Sequence, residues 1–316
     1  MRILVTGGAG YIGSTAVSML LDRGHEVHVI DDCSTGFAAS VDSRAIFFQK
    51  SILNPSALDE ALVGCEAVIH FAAKSLVGES VVKPEIYWET NAYGTRLLLN
   101  AMLRNGVAKL VFSSTAATYG EATDNPITEK TVTAPTNPYG ASKLAADYMI
   151  TAQAAAYGLA AASLRYFNVA GAIKTSHGWL AEKHNPETHL IPNLLRSSAD
   201  KPMKIFGGDW PTPDGTCIRD YIHVADLIDA HIKALEILTP GKHEIINLGS
   251  GGGYSVQEVL SAAEKVIGRE IPALIADRRP GDPAILVADI SKAESLLKWH
   301  PQSSLETMVS DAWSSF

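Results

Sequence analysis

The stretch that decides the fold is ILVTGGAGYIG, residues 3–13. A short apolar run leads into Gly7, Gly10 and Gly13, and a helical pattern of apolar residues follows over residues 12–23. Such glycines let a chain turn tightly from a strand into a helix and let its backbone approach a pyrophosphate, which the helix N-terminus binds. Three glycines alone also occur in ordinary tight turns. The strand before them and the helix after them favour a dinucleotide-binding turn.

An acidic residue follows at the distance that such a turn requires. Asp31 ends the second predicted strand, at about the ~20-residue spacing where a carboxylate holds the adenosine ribose hydroxyls. A carboxylate there repels the 2′-phosphate of NADP, and no arginine follows directly to bind one. The sequence therefore predicts NAD as the cofactor.

Strand and helix patterns alternate outward from this turn. Strands are predicted over residues 2–7, 26–32, 45–49, 67–73, 109–115 and 162–168, and helices over residues 12–23, 56–63, 84–105 and 139–157. Several strands are apolar nearly throughout, as strands buried on both faces are. The alternation predicts an α/β fold with a Rossmann-type, doubly wound parallel sheet.

The pattern changes after Asn168. Residues 170–215 contain loops, prolines, histidines and short apolar runs, and a helix (225–238), a strand (243–250) and a helix (255–267) follow. We expect an NAD-binding domain over residues 1–168, to which the chain returns around residues 220–250. Residues 169–316 are expected to form a smaller α/β substrate domain.

Composition excludes several classes of protein. The 316 residues are 47% hydrophobic and 19% charged, as in globular proteins, and the net charge of −8 gives no basic surface for a nucleic acid. Three separated cysteines favour a reducing compartment. The uncharged residues 148–164 fall short of the ~20 strongly apolar residues of a membrane span. We therefore expect a cytoplasmic protein without a membrane segment.

A tyrosine and a lysine stand one helical turn apart in NPYGASKLAADYM, residues 137–149. Tyr139 and Lys143 share a helix face, and the strand ending in Ser113, Ser114 and Thr115 delivers hydroxyls to the edge of the sheet where ligands bind. An isolated pair of this spacing is usually surface decoration. Beside these hydroxyls and the glycine turn, it indicates a phenol that loses its proton, since an ammonium and an oxidised nicotinamide both stabilise a phenolate.

Seven motifs, taken together, resemble a known family. TGGAGYIG, FSSTAATYG, YGASK and RYFNVAGA are similar to the extended short-chain dehydrogenase/reductases, the NAD-dependent epimerase/dehydratase family. HNPETHLIP, GTCIRDYIHVADL and RRPGD narrow the resemblance to the UDP-glucose 4-epimerase group, over residues 2–289.

The resemblance implies a role for each matching residue. It makes Tyr139 the acid and base, Lys143 the residue that orients the cofactor ribose and lowers the tyrosine pKa, and Thr115 the partner of the sugar 4-oxygen. The implied NAD site comprises Gly7, Gly10, Tyr11, Ile12, Gly13, Asp31, Asp32, Ser34, Ser51, Ile52, Phe71, Ala72, Ala73, Lys74, Asn91, Tyr139, Lys143 and Phe167. The implied nucleotide-sugar site comprises Thr115, Tyr139, Asn168, Leu190, Phe206, Arg219, Arg279, Asp282 and Leu286.

Four positions depart from the family pattern. Thr115 stands where serine is common, and either hydroxyl suffices. Ser51 replaces an acid, Asp32 replaces the commoner asparagine, and Lys74 comes one place early, so the contacts of these three residues stay open. Leu286 occupies a wall of the implied sugar pocket.

The resemblance implies reversible 4-epimerisation of UDP-glucose and UDP-galactose through a transient 4-keto sugar, with tightly bound NAD, as in galactose metabolism. It also implies a homodimer through the helices over residues 84–105 and 139–157. Alternatives are epimerisation of UDP-N-acetylhexosamines or of UDP-pentoses and uronates, and a nucleotide-sugar dehydratase or decarboxylase. A dehydratase is disfavoured because Ala116 and Ala117 stand where its acid would be. A non-enzymatic NAD-binding regulator is disfavoured because the tyrosine and lysine are both present.

A metal site is a further alternative. His177, His184 and His189 lie close together in one segment, but their spacing matches no standard zinc site and no cysteines accompany them. The histidines alone therefore predict polar loop residues near the substrate and no metal.

Overall fold

A computed structural model describes residues 1–184, 186–279 and 282–316. Its strands are β1 (Arg2–Thr6), β2 (Glu26–Ile30), β3 (Ile46–Phe48), β4 (Ala67–His70), β5 (Lys109–Thr115), β6 (Ala160–Tyr166), β7 (Asn168–Ala170), β8 (Ala172–Thr175), β9 (Gly178–Ala181), β10 (Met203–Phe206), β11 (Ile218–Arg219), β12 (Tyr221–His223), β13 (His243–Leu248), β14 (Tyr254–Ser255), β15 (Ala273–Ala276) and β16 (Ile285–Leu286). Its α-helices are α1 (Tyr11–Asp22), α2 (Pro55–Ala61), α3 (Val77–Val82), α4 (Pro84–Tyr87), α5 (Gly94–Arg104), α6 (Pro138–Tyr157), α7 (Leu190–Leu195), α8 (Val224–Ile237), α9 (Val256–Ile267), α10 (Ser291–Leu297) and α11 (Leu305–Ser314).

Seven strands form one sheet in the order β13-β6-β5-β4-β1-β2-β3. Every neighbouring pair in it is parallel. From β1 the chain winds outward to β2 and β3, then crosses to β4 and continues in the other direction. This reversal confirms the predicted doubly wound, Rossmann-type sheet, and it opens a crevice at the carboxyl ends of β1 and β4 where ligands bind in such folds.

Helices cover both faces of this sheet. One apolar core joins it to α1, α8 and α10 through buried side chains such as Val17, Leu227 and Leu297. A second core on the opposite face joins it to α2, α5 and α6. Because both faces are buried, the strands are apolar almost throughout, which is why the sequence predicted them well.

A third apolar core lies away from the sheet. It joins α7, α9 and α11 through fully buried residues that include Leu194, Val259 and Met308. Short strand pairs border it: β10 pairs with β15, and β11 lies between β14 and β16. Helices α8 and α10 and strand β13 pack with the sheet instead. The second half of the chain therefore passes more than once between the sheet and the third core.

The helix predicted over residues 84–105 changes its winding midway. α4 runs directly into a π-helical segment, Trp88–Tyr93, and α5 continues from there to Arg104. Asn91 lies in the π-helical segment and is buried. Such segments are rare and are frequent at functional sites. The sequence pattern predicted the extent of this helix but not its π-helical turn.

Helix α6 has clear signals at both ends. The Asn137 side chain accepts a hydrogen bond from the Gly140 amide at 2.9 Å, and Pro138 occupies the first turn. The helix ends at Gly158, whose φ of 75° suits a residue without a Cβ. Within the described residues no helix, α6 included, has both the length and the apolar character needed to cross a membrane.

Candidate active site

The turn between β1 and α1 has no room for side chains at two of its glycines. Gly7 has a φ of +73°, and a Cβ there would lie 2.6 Å from the amide nitrogen of Ala72. A Cβ on Gly13 would lie 2.0 Å from the carbonyl oxygen of Gly7. At Gly10, which precedes α1, the described surroundings leave open space beyond the Gly7 oxygen at 3.5 Å. The bare backbone at the start of α1 fits a pyrophosphate group, since the free amides and the helix dipole there attract anions.

Asp31 lies beside this turn, directly after β2. Its carboxylate accepts hydrogen bonds from the backbone amides of Ala9 at 2.9 Å and Cys33 at 2.7 Å. Burial raises the pKa of Asp31, and these two hydrogen bonds oppose that rise. The carboxylate is therefore fixed against the glycine turn, where the sequence placed a ribose-binding acid.

Lys74, whose role was open, lies at the same edge of the sheet. Its Nζ donates a hydrogen bond to the Ser34 hydroxyl at 3.2 Å, and the Ser34 amide donates to Asp32 at 2.9 Å. The Lys74 backbone is held by Asn91, whose side chain bonds its amide at 2.8 Å and its carbonyl at 3.0 Å. Asn91 also donates to the Ser142 hydroxyl at 3.0 Å. Asn91 thus ties the loop after β4 to α6.

The other predicted cofactor residues follow strand ends or begin a helix. Tyr11 opens α1, and its hydroxyl donates to the Gly171 carbonyl at 2.6 Å. The Ala72 amide donates to the Thr6 hydroxyl at 3.2 Å. The remaining members come from α1 and from the segments after β3, β4 and β6: Ile12, Ser51, Ile52, Phe71, Ala73 and Phe167. They all belong to the edge that carries the glycine turn.

Thr115 and Tyr139 come together at the same edge of the sheet. Thr115 is the last residue of β5 and is buried, and Tyr139 lies in the first turn of α6 and is half-buried. Burial raises the pKa of the Tyr139 phenol, and a hydrogen bond with the Thr115 hydroxyl lowers it. The phenol is therefore neutral at neutral pH in the chain alone. A further positive charge beside the phenol would stabilise the phenolate and favour loss of its proton.

Lys143 does not supply that charge by direct contact with the phenol. Its buried ammonium donates to the Ser113 carbonyl at 2.7 Å and lies 4.7 Å from the centre of the Phe112 ring. Burial lowers the pKa of Lys143 to about 7, and Asp147 opposes the change. In the chain alone, burial is the main influence on the tyrosine pKa, and the effect of Lys143 on that pKa stays a prediction.

A buried ion pair behind Lys143 was missed from the sequence. The Asp147 carboxylate accepts hydrogen bonds from Arg165 at 2.9 Å and from the Ser114 hydroxyl at 3.2 Å. Tyr139, Lys143 and Asp147 repeat every four residues, so they share one face of α6. This four-residue spacing is the feature of the sequence that could have identified Asp147 as a neighbour of the site.

The predicted substrate residues form two contacting groups. The buried Nη2 atom of Arg219 lies 3.4 Å from the Asp282 carboxylate, and it makes no hydrogen bond of good geometry with the described residues. Leu286 lies opposite Arg219 in the pairing of β11 with β16. A buried guanidinium nitrogen with an unused proton is suited to a phosphate oxygen.

In the second group, the Arg279 guanidinium lies 3.8 Å from the centre of the Phe206 ring. Asn168 donates to the Asp220 carbonyl at 2.9 Å, and Leu190 begins α7. The Asp282 amide donates to the Arg279 carbonyl at 3.3 Å, so Asp282 links the two groups. Asn185, Pro280 and Gly281, which belong to two of the motifs, lie outside the described residues.

Comparisons with known proteins agree with this geometry. The family model described as "NAD dependent epimerase/dehydratase family" matches residues 3–249. A UDP-glucose 4-epimerase of Corynebacterium glutamicum is 54% identical over 318 residues, which cover 99% of this chain and 95% of that protein. The solved structure of a UDP-glucose 4-epimerase from Brucella ovis in complex with NAD has a TM-score of 0.93 at 41% identity, covering 99% of this chain and 97% of that one.

A second solved structure, a UDP-glucose-4-epimerase from Stenotrophomonas maltophila with bound NAD and formylated UDP-arabinopyranose, has a TM-score of 0.94 at 37% identity and covers 99% of this chain and 97% of that one. The similarity therefore runs through the sheet, the glycine turn and the third core alike. On its sequence, its fold and its glycine turn, the chain belongs to the NAD dependent epimerase/dehydratase family.

Proposed function

We propose that this chain is an isomerase that interconverts UDP-glucose and UDP-galactose at C4, through a 4-keto sugar and with NAD held tightly. The observation that carries the proposal is the meeting of Thr115, Tyr139 and the bare glycine turn at one edge of the sheet. The 54% identity to a UDP-glucose 4-epimerase over nearly the whole chain supports the choice of substrate.

The glycine turn and Asp31 fit NAD. A Cβ at Gly7 or Gly13 would fill the turn, which leaves the backbone amides of α1 free for the pyrophosphate. Asp31 lies where it can accept hydrogen bonds from the ribose hydroxyls, and the loop that Asn91 holds is placed to line the opposite wall. When bound, NAD supplies an oxidised nicotinamide that takes up and returns the hydrogen of C4.

The proton chemistry belongs to Tyr139. In this proposal its phenolic oxygen accepts the proton of the sugar 4-hydroxyl and later returns it. The Thr115 hydroxyl donates a hydrogen bond to the sugar 4-oxygen. Lys143 positions the ribose, and Asp147 keeps a negative charge beside its ammonium. The 4-keto sugar turns about its diphosphate link between the two half-reactions, so either face of C4 is presented.

Arg219 and Arg279 are proposed to hold the UDP diphosphate. Arg219 brings a buried Nη2 atom that is held by the ion pair with Asp282 at 3.4 Å and makes no hydrogen bond within the described part of the chain. Asn168, Leu190 and Phe206 complete the nucleotide side, and Leu286 stands on the sugar side next to Arg219. In this division residues 1–168, with the return around 220–250, bind NAD, and the rest of residues 169–316 binds the nucleotide sugar.

A dehydratase or decarboxylase is the weaker alternative. Elimination requires a further acid or base near the sugar, and Thr115 is followed by two alanines. A regulator that only binds NAD would not need a buried lysine behind the phenol. Epimerisation of UDP-N-acetylhexosamines or of UDP-pentoses and uronates is the stronger alternative, because it would use the same catalytic side chains as the proposed reaction.

Tyr139→Phe should abolish turnover and leave NAD bound. Proton transfer by a positioned side chain is typically worth ~10²–10⁴ in rate. The measurement is conversion of UDP-galactose without added oxidant or reductant, with NAD recovered after denaturation. Tyr148→Phe, on an exposed side chain of the same helix, is the matched control. Stoichiometric release of reduced cofactor, or a Phe variant within a few-fold of wild type, would contradict the proposal.

Lys143→Ala should be most harmful near neutral pH, and its defect should shrink as pH rises. An unassisted Tyr139 ionises at high pH, and wild-type Lys143 itself loses its charge above its pKa of about 7. The measurement is the ratio of kcat/KM for wild type and variant across pH. A ratio that does not change with pH would leave Lys143 a positioning role only.

Leu286→Tyr should sharpen the preference for plain hexoses over N-acetylated ones. A leucine wall excludes a 2-N-acetyl group incompletely, and a misfit of a few atoms in an apolar pocket is worth ~1–3 kcal/mol. We expect wild type to prefer UDP-glucose and UDP-galactose, with weaker turnover of the N-acetylated pair. The test is kcat/KM for both pairs. Leu286→Met, which conserves volume, should leave the ratio unchanged, and an unmoved ratio in the Tyr variant would remove Leu286 as the gate.

We also propose a homodimer through the helical stretch that ends with α5 and through α6. Large apolar side chains on these helices are exposed, namely Trp88, Tyr93, Leu103, Tyr148 and Tyr157. An interface between copies of this chain would bury these side chains, and exposed apolar surface commonly marks such interaction sites. Light scattering should give twice the chain mass at micromolar concentration. A monomer mass would show that these helices only cover the sheet.

A further inference from the structure

Four metal-binding side chains converge outside the proposed active site. Glu182, His184, Glu187 and His189 lie in the segment between β9 and α7, and each offers a ligand atom within 4.8 Å of the others. The segment ends next to Leu190, on the nucleotide-sugar side of the molecule. His177, the third histidine noted in the sequence, is exposed and does not belong to the cluster.

The four donor atoms lie close to one another. The Nδ1 atoms of His184 and His189 lie 3.0 Å and 2.7 Å from one oxygen of Glu182. The Nδ1 atom of His189 also lies 3.0 Å from Glu187. Four ligands held tetrahedrally at zinc distances are roughly 3.3 Å apart. Small outward shifts of these side chains would therefore create a four-ligand shell.

Glu187 has one carboxylate oxygen that is free of hydrogen bonds among the described residues. Its side chain is only 4% exposed, and this oxygen is the buried Oε2 atom. Its other oxygen accepts hydrogen bonds from the backbone amides of Thr188 at 2.9 Å and His189 at 3.0 Å, which fix the carboxylate in place. The nearest described arginine nitrogen, on Arg196, is 3.9 Å from Oε2, which is beyond hydrogen-bond length.

The cluster contains two buried carboxylates, which pair with the histidines and can also bind a divalent cation. Glu182 and Glu187 have side chains only 9% and 4% exposed, and a buried carboxylate is costly unless it is paired or bound to a metal. Two carboxylates balance the charge of a divalent ion, and each histidine would bind it through an imidazole that has released its extra proton. Nitrogen donors favour zinc and related transition metals, whereas calcium and magnesium prefer oxygen alone.

We propose that Glu182, His184, Glu187 and His189 bind one structural Zn²⁺ ion that fixes the segment between β9 and α7. All four positions of a tetrahedral shell come from the protein, which is the pattern of a structural site and leaves none for a substrate. The histidines by themselves predicted no metal, because their spacing matches no standard zinc site. The spacing Glu-x-His-x-x-Glu-x-His shows the acidic members only once the loop brings them together.

The test is zinc binding by the full chain, measured without substrate. Protein stripped with a chelator is dialysed against Zn²⁺ alone, and metal content and melting temperature are recorded. Wild type should retain one ion per chain and melt at a higher temperature with zinc, because an ion that binds the native state stabilises it. His189→Ala and Glu187→Gln should lose both effects, while His177→Ala should keep them.

Glu187→Gln keeps the test decisive if the histidine variant fails to fold. A glutamine oxygen can still accept the two backbone amides, so the turn is preserved while the anionic ligand is lost. Wild type without stoichiometric zinc, or variants that bind as much zinc as His177→Ala, would overturn the proposal. Because no UDP-sugar is present, these outcomes are independent of epimerase activity.

Discussion

The whole site depends on a place where no side chain fits. At Gly7 and Gly13 the start of α1 presses against the end of β1 and the loop after β4, with backbone atoms closer than any Cβ allows. The Gly7 amide also donates to the Ile30 carbonyl at 2.9 Å, so β2 is drawn into the same contact. Three strand ends therefore meet at one point, and the acid after β2 and the loop after β4 take their positions from it.

The second constraint is the burial of charge along α6. A buried ammonium is costly unless it is hydrogen-bonded, and Lys143 meets this demand through the Ser113 carbonyl. Asp147 and Arg165 form the next layer of the same face. The burial that makes this arrangement costly also brings the pKa of Lys143 to about 7, within the range where a change of charge is easy. Burial in α6 thus determines both the hydrogen bonding of Lys143 and its pKa.

Sequence patterns predicted the sheet because its strands are apolar on both faces, which is a local property. They missed most of the short strands of the smaller body, such as β11 and β16, because two-residue strands are set by their partners and not by their own composition. Gly7, Asp31, Tyr139 and Thr115 were predictable since each follows or opens a recognisable element.

The hydrogen-bond partners within the site were harder to predict. Asn91 was predicted as a cofactor residue, and its side-chain hydrogen bonds to Lys74 and Ser142, which are far apart in sequence, were not predictable. A π-helical turn holds one residue more than an α-helical turn, so α5 is rotated in phase relative to α4. The upstream half can thus face the loop after β4 while the downstream half seals the sheet with Leu98 and Met102. The π-helical turn thus lets one continuous helix face two different surfaces. The number of residues on either side of Asn91 is therefore as constrained as the identity of an active-site side chain.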